Sequence, residues 1–553
     1  MMETVYTGAR VICIDADRPE AQAFRVRDGR FVAVGTRDDA MRGAGPKVRE
    51  VDLQGRTVVP GFIDAHLHIL PLYHADSVFE MPDLGPAEVA DMEALIRRMQ
   101  QRAQVVPPGQ WLLGRSYQET KLGRHPTRFD LDRISTVHPI RLYHASFHVS
   151  AYNTLALENA GITKDTPDPP GGSFDRDENG ELMGIAREGA QKLVTPFSTS
   201  DARYDASPSE MGVGLNPPPL MPGPDEWVRG MVQRFEAFAA RGITSVGIAG
   251  IGPRDLDRLN MAKTAGNPVR VYAMFYDHHL RDAEQTVQEH GWGDDRLRLG
   301  AVKVFHGHSL SGLTAWVSGE YPGRRNYFGI QPKRTQQELD DLVAKIQQRG
   351  FQAAIHANGD REIEMVLTAF ERAAKLASAG KIRHRIEHAS ITNESILTRA
   401  RDAGVTLVFH SYMFEHGDKI SAFGPERLAM MHPHRTALDM GVHVAGHSDW
   451  PVSAADPLLR IQDLVTRAGQ EGTVYGGNQR ITVAEALQVM TAGGAYASQE
   501  DDIKGSISVG KLADFVVLGE DPRDVPPQKI KNISVVATYV GGEIAWQAKE
   551  LTT

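Results

Sequence analysis

Apolar residues along the chain fall into short runs separated by polar and turn-forming residues. The N-terminal stretch reads as strands and turns: Val5-Tyr6-Thr7, 9–14 and 23–26, a turn at Asp28-Gly29, then 30–34. Asp-Gly between alternating apolar runs is a hairpin signal, because a tight hairpin turn needs positive φ at both central positions. The C-terminal stretch has the same texture, with runs at 514–518 and 534–540, Gly541-Gly542, and 543–546. These β-rich ends predict one small β-sandwich domain formed by both termini, residues 1–57 and 491–553.

Between the ends lie eight strand-like runs, at 57–69, 243–249, 269–275, 299–305, 351–356, 385–388, 406–409 and 442–446, mostly separated by helix-like segments. Strands alternating with helices imply a parallel sheet. Eight such units predict an α/β fold, a closed (β/α)8 TIM barrel over residues 58–70 and 228–490. An open doubly wound sheet is the alternative, but no Gly-x-Gly-x-x-Gly opens a helix after the first run. The gap between the first two runs is too long for one helix, so residues 71–227 are expected to form a large insertion after strand one. It holds a helix-like piece at 86–104 and strand-like pieces at 111–113 and 140–143. The Pro-, Gly- and Met-rich segment 207–224 reads as a loop, either a lid beside the site or a plain linker.

Composition narrows the partners. The chain has 553 residues, 41% hydrophobic and 24% charged, as in a globular protein of two or three structural units. A net charge of −9 disfavours nucleic acid, which needs a basic surface. No apolar run reaches the roughly 18 residues of a membrane span. The start, Met-Met-Glu-Thr-Val-Tyr, has neither the basic region nor the apolar run of a signal peptide, so a cytoplasmic location is expected. Cys13 is the only cysteine, so no intrachain disulfide and no cysteine-rich zinc cluster can form. A metal site would use His, Asp, Glu or Lys.

His66-Leu67-His68 closes the first run. Side chains alternate along a strand, so both imidazoles face one way and can reach one cation. The pair alone carries little. With 21 His in the chain, roughly one His-x-His arises by chance, and three occur, at 66/68, 306/308 and 432/434. Only the first ends the candidate first barrel strand, where barrel active sites lie. The fourth run carries Lys303, costly to bury as a cation unless neutralised, paired or modified; snorkelling outward between helices is the alternative. The fifth run ends in His356-Ala357-Asn358-Gly359-Asp360, the sixth in Ile386-Glu387-His388, and the eighth in His447-Ser448-Asp449-Trp450-Pro451. Any one histidine here, taken alone, reads more readily as a satisfied core residue, and Asp449 alone as a helix cap. Together, four imidazoles, a carboxylate and a lysine are predicted at one barrel mouth. That set suits zinc or a similar divalent ion.

These residues resemble the amidohydrolase superfamily: His66 and His68 on strand one, Lys303 on four, His356 on five, His388 on six and Asp449 on eight. Finer signatures resemble the branch called amidohydrolase family 3, which includes N-substituted formamide deformylases. They are Val59-Pro60-Gly61-Phe62-Ile63-Asp64, His356-Ala357-Asn358-Gly359-Asp360, Ile386-Glu387-His388 and Ser448-Asp449-Trp450-Pro451. Pro126-Thr127-Arg128, Asn153 with Ala156-Leu157, Gly171-Gly172, Gly184 with Glu188, Gly505-Ser506-Ile507 and Ala513-Asp514 also fit. The resemblance covers nearly the whole chain. It implies one or two divalent metals per chain, zinc foremost. His66, His68 and Asp449 would hold one, and His356 and His388 the other. Lys303, carboxylated by CO2, would bridge them.

The implied activity is hydrolysis of an amide-type C–N bond of a small molecule: an N-acyl or N-formyl amine, a lactam or a carbamate. A metal-activated water would attack, with His356 and Lys303 at the metals and Asp449 as base and then acid. Ester hydrolysis or decarboxylation by the same site, and a non-catalytic metal-binding protein, are the alternatives. A homo-oligomer, a dimer, is the expected assembly.

Two strand ends depart from the branch. After Lys303 it usually continues Phe-Ala-Asp-Gly; here stands Phe305-His306-Gly307-His308. On strand seven it often has Gln-Pro; here stand His410-Ser411. His306, His308, His410, His434 and Trp450 are therefore candidate substrate-binding residues. Tyr117, Arg128, His144 and His148 of the insertion join them by their place in the branch pattern. Surface or supporting roles are the alternative for each.

Overall fold

The computed structural model describes residues 3–549 apart from 70–71, 74–76, 78, 87, 170–171, 195–221, 376–381 and 411. Most of the proline-rich segment 207–224 therefore lies outside the described residues.

Eight strands form one parallel sheet: β1 (Phe62–Leu67), β2 (Ile243–Ile251), β3 (Arg270–Tyr276), β4 (Leu297–Phe305), β5 (Gln352–Ala357), β6 (Arg385–His388), β7 (Thr406–His410) and β8 (Val444–His447). They pair in sequence order from β1 to β8. The seam between β8 and β1 is bridged by two backbone hydrogen bonds, His68 N to Trp450 O at 2.8 Å and Asp449 N to His66 O at 3.0 Å. The sheet is thus the (β/α)8 barrel that the alternation of runs predicts. Strand four shows how it fills. Val302 and Val304 face the helices within the main apolar cluster, while Ala301 and Lys303, one residue out of phase, face the interior. The helices follow the same logic. Gln336–Gln348 begins at a Thr335–Glu338 capping box and lays Leu339, Val343 and Ile346 against the barrel.

The run 57–69 divides at Gly61. Thr57–Pro60 belongs to a six-stranded sheet, between Arg10–Ile12 and Phe515–Leu518, and β1 to the barrel. The crossing is tight: a Cβ on Gly61 would sit 2.1 Å from Thr244 Oγ1. Continuous hydrophobicity does not show this break, because both strands are buried on both faces. The other seven runs each hold one barrel strand, within two residues at either end.

Both termini contribute to the six-stranded sheet. A four-stranded sheet of Arg30–Gly35, Ala23–Arg27, Glu3–Thr7 and Arg49–Asp52 faces it. Tyr6, Phe24 and Phe31 of one meet Phe515 and Tyr539 of the other, the last two stacked at 4.3 Å. Asp28 and Gly29 have φ of 51° and 75°, as the hairpin signal requires.

The insertion carries a five-stranded sheet, in the order Gly172–Arg176, Leu182–Glu188, Val149–Tyr152, Ile140–His144, Leu112–Tyr117, with apolar clusters of its own. It reaches the barrel mouth through Glu188, whose Oε1 accepts from Thr314 Oγ1 at 2.7 Å. The helix Pro224–Ala239 buries Trp227, Met231, Phe235 and Phe238 in the main barrel cluster. No helix among the described residues is long and apolar enough to cross a membrane.

Candidate metal centre

The C-terminal ends of the barrel strands converge on a buried set of imidazoles. His66 has no exposed surface. Its Nδ1 makes a very short contact with Glu387, which Arg385 holds through Nη2 at 2.8 Å. The Nδ1 proton therefore goes to the carboxylate, and Nε2 is left with its lone pair facing the site. His68 is set the same way, because its Nδ1 lies 2.9 Å from Ala249 O. The two Nε2 atoms lie 3.5 and 3.3 Å from Asp449 Oδ1. The backbone bonds across the barrel seam bring these residues together.

Lys303 Nζ lies 3.3 Å from His66 Nε2. The side chain is fully buried inside the barrel and does not snorkel outward. Burial lowers its pKa to about 8, against the opposing pull of Glu387 and Asp449. The rings of His356 and His388 are 4.6 Å apart, and His388 Nδ1 lies 3.9 Å from Asp449 Oδ2. Burial, reinforced by Lys303 or neighbouring imidazoles, holds His66, His356 and His388 well below the usual imidazole pKa. All three are neutral, which is the ligating form. His388 and Asp449 sit at φ of 70° and 55°. Left-handed backbone at two such positions is a strain that clusters at functional sites.

The donor set fits a divalent cation. Asp449 Oδ1 is buried with no hydrogen-bond donor among the described residues. His66 Nε2 and His68 Nε2 face that same oxygen, and Lys303 Nζ stands 3.3 Å from the first. A divalent cation would satisfy the carboxylate oxygen and both imidazoles at once. His66, His68 and Asp449 accordingly form one group with metal-ligand spacing, and His388, His410 and His447 form another.

A small cavity opens beside this set. Its lining includes Ser146 and His148 of the insertion, Ser309 to Ser311 after β4, His356, Asn358, His388, Ser390, His410, Tyr412, His432 and Asp449. Among the described residues, Leu310 and Val452 are the aliphatic members of its lining, and no Lys or Arg lines it. His148 Nδ1 pairs with Glu188 at 2.8 Å. Burial opposes a charge on His148, but the carboxylate outweighs it and raises the imidazole pKa.

Of the nine expected substrate-binding residues, His148 and His410 line the cavity. His308 stands just behind it, its carbonyl accepting from His356 Nε2 at 3.1 Å and Asn358 Nδ2 at 2.7 Å. His306 is buried nearby with neither ring nitrogen bonded among the described residues. His434 packs on Phe409 and bonds His432 O at 2.9 Å. Trp450 lies between Phe238 and Arg234. Tyr117 bonds His125 at 3.1 Å, and His144 is engaged by Glu119 at 2.6 Å and Lys419 at 2.9 Å. Arg128 stacks on Phe129. Glu387 and Glu188, read only as parts of motifs, orient His66 and His148. His447 was missed as a candidate, although it repeats the two-residue spacing with Asp449 that drew attention to His66 and His68.

Residues 49–545 match the amidohydrolase family. The chain is 29% identical to an N-substituted formamide deformylase of Arthrobacter pascens, over 99% of this chain and 99% of that protein. It is 27% identical to Protein LONG AFTER FAR-RED 3 of Arabidopsis thaliana, over 98% of this chain and 91% of that one. The crystal structure of an uncharacterized metal-dependent hydrolase from Pyrococcus horikoshii is similar in fold, with a TM-score of 0.72 at 24% identity. The match covers 95% of this chain and 99% of that one.

Proposed function

We propose, for a chain that belongs to the amidohydrolase family, metal-dependent hydrolysis of an amide-type C–N bond in a small polar molecule. N-formyl and other short N-acyl amines are the first candidates, then lactams and carbamates. One observation carries the reading: His66 Nε2 and His68 Nε2 converge at 3.5 and 3.3 Å on Asp449 Oδ1, a buried oxygen with no hydrogen-bond partner among the described residues. The full-length similarity to an N-substituted formamide deformylase supports the bond type, and the small cavity, lined largely by histidines and serines, supports the acyl size.

In this reading His66, His68 and Asp449 would hold one divalent ion, zinc foremost. His356 and His388 would hold a second, and Lys303, as a carbamate, would supply an anionic ligand. A lysine whose pKa burial lowers to about 8 keeps a useful fraction of neutral amine, the form that adds CO2. When bound, the metal supplies Lewis acidity to the carbonyl and lowers the pKa of water. The chain's own groups handle the protons. Asp449 takes one from the attacking water and later gives it to the leaving nitrogen, so that amide plus water becomes acid plus amine. His148, whose Nδ1 Glu188 holds and whose pKa it raises, would donate from the cavity wall to the developing oxyanion.

Metal-replete protein screened against formamides, longer amides, carbamates and esters tests the proposal. Turnover of a formamide or short amide is expected, and Asp449→Asn is expected to lower kcat by about 10²–10⁴-fold. Turnover of esters alone, or an Asp449→Asn variant of wild-type rate, would refute it.

A further inference from the structure

A tight turn of the insertion presents two polar side chains, Ser146 and His148, to the cavity. Between them Phe147 takes a left-handed φ of 58°, and its N–H donates to His144 O at 2.8 Å. Positive φ at a bulky residue is a strain, and such strain clusters at functional sites. The rings of His148 and His356 are 5.8 Å apart, so the turn stands close to the ends of the barrel strands.

The hydrogen bonds behind Ser146 fix the direction of its hydroxyl. The backbone N–H of Ser146 donates to His144 Nδ1 at 3.1 Å. A backbone amide nitrogen only donates, so Nδ1 carries the lone pair and the ring proton sits on Nε2. Nε2 gives that proton to Glu119 Oε2 at 2.6 Å. Lys419, from the helix Met413–Ile420 after β7, holds the far end, 3.3 Å from the same oxygen and 2.9 Å from Nε2. Ser146 Oγ lies 2.7 Å from Nδ1, so its O–H donates there as well. The backbone N–H of His148 donates to Oγ at 3.2 Å. A hydroxyl oxygen has two lone pairs, and this leaves one of them for the cavity. Burial, then the charge of Lys419, lowers the His144 pKa to about 3. A neutral ring with so low a pKa is too weak a base to make Ser146 a nucleophile, but it is a constant acceptor for the Ser146 proton.

We infer that Ser146 reads the substrate's amide N–H: its Oγ accepts a hydrogen bond from that group and so selects amides over esters of the same shape. The inference rests on the proposed function for the reacting bond. An amide offers one acceptor, its carbonyl, and one donor, its N–H. The turn offers the complement two residues apart, a donor on His148 and an acceptor on Ser146. An ester would set an oxygen lone pair against the serine lone pair, and a site built around a hydrogen bond rejects the analogue that lacks the group. His144 and Glu119 are positioning residues, which act by holding the hydroxyl turned away from the cavity.

The values of kcat/KM for N-propylformamide and propyl formate, which differ only in N–H for O, test this on metal-replete protein. Ser146→Ala is expected to lower the amide-to-ester ratio by about tenfold or more relative to the wild type. The ratio cancels both the greater intrinsic reactivity of esters and any general loss of active protein. An unchanged ratio, with the amide turned over, refutes the inference and leaves the proposed function standing. If only the ester is turned over, the proposed function fails. A faster ester reaction in Ser146→Ala than in the wild type then upholds the inference, and an equal or slower one refutes it. ¹⁵N NMR of the wild type, with His144 assigned from the spectrum of His144→Gln, decides the matter if neither compound reacts or Ser146→Ala does not fold. The ring proton is expected on Nε2. A proton on Nδ1 would turn the Ser146 hydroxyl to the cavity as a donor and refute the inference.

Discussion

Replacing Lys303 with Met is expected to raise the melting temperature of the metal-free, bicarbonate-free protein at pH 7, and the gain is expected to disappear at high pH. Lys303 has no exposed surface. Burial lowers its pKa from 10.5 to about 8. The unfolded chain keeps the ordinary value, so below pH 8 the folded state holds an ammonium that the unfolded state solvates better. At about 1.36 kcal/mol per pH unit, the gap corresponds to about 3 kcal/mol of destabilisation. The folded value lies below the unfolded one. The cost is therefore full below pH 8, shrinks as pH rises towards 10.5, and is gone above it. Met keeps the length and apolar stem of the side chain without the charge. With an unfolding entropy of about 2.1 cal/mol/K per residue, about 3 kcal/mol moves the melting temperature by about 3 °C if the whole chain unfolds together. The shift is about twice that if the barrel alone does. Scanning calorimetry in chelator at pH 7 and pH 10 reads the effect. A Met variant that melts at or below the wild type at pH 7, or a difference equal at both pH values, would refute the argument. With metal and bicarbonate restored the sign should reverse if Lys303 serves as the proposed carbamate ligand, because only the wild type would then gain stability from tight binding.

Three further outcomes follow from the supporting contacts. Glu387→Gln removes the carboxylate that orients His66 and neutralises Arg385; metal affinity, measured by chelator competition, should fall by about 10–100-fold. His148 should titrate above 6.5 by ¹⁵N NMR and below it in Glu188→Gln. Because its folded pKa is raised, its contribution to stability is full below pH 6.5 and is lost as pH rises through the folded value. Gly61→Ala should cost about 1–3 kcal/mol, seen as a lower melting temperature that Thr244→Ala partly restores.

Most of the architecture is legible from periodicity. Buried parallel strands are short continuous apolar runs, and seven of the eight can be placed within two residues. The exception, 57–69, hides a change of sheet at Gly61, because pattern records burial and not which sheet buries a residue. The metal-ligating types at strand ends are legible too, since a lysine or histidine ending an apolar run breaks the pattern locally. What is not legible is how side chains from different strands finish one another's hydrogen bonds. Arg385 and Glu387 look like an ordinary polar pair in sequence, yet their fully buried ion pair fixes the proton on His66 Nδ1 and frees Nε2.

The same reasoning separates the chain's many histidines better than motif spacing does. His66, His68, His306, His308, His432 and His434 share the His-x-His pattern, but an imidazole's chemistry depends on which nitrogen is already spoken for. His66 and His68 each commit Nδ1 and present Nε2 towards Asp449. His434 commits Nδ1 to a carbonyl and points its ring at Phe409. His308 offers a backbone carbonyl to hold His356 and Asn358. The hydrogen-bond pattern of each ring therefore separates His66 and His68 from the other two pairs, which spacing alone does not.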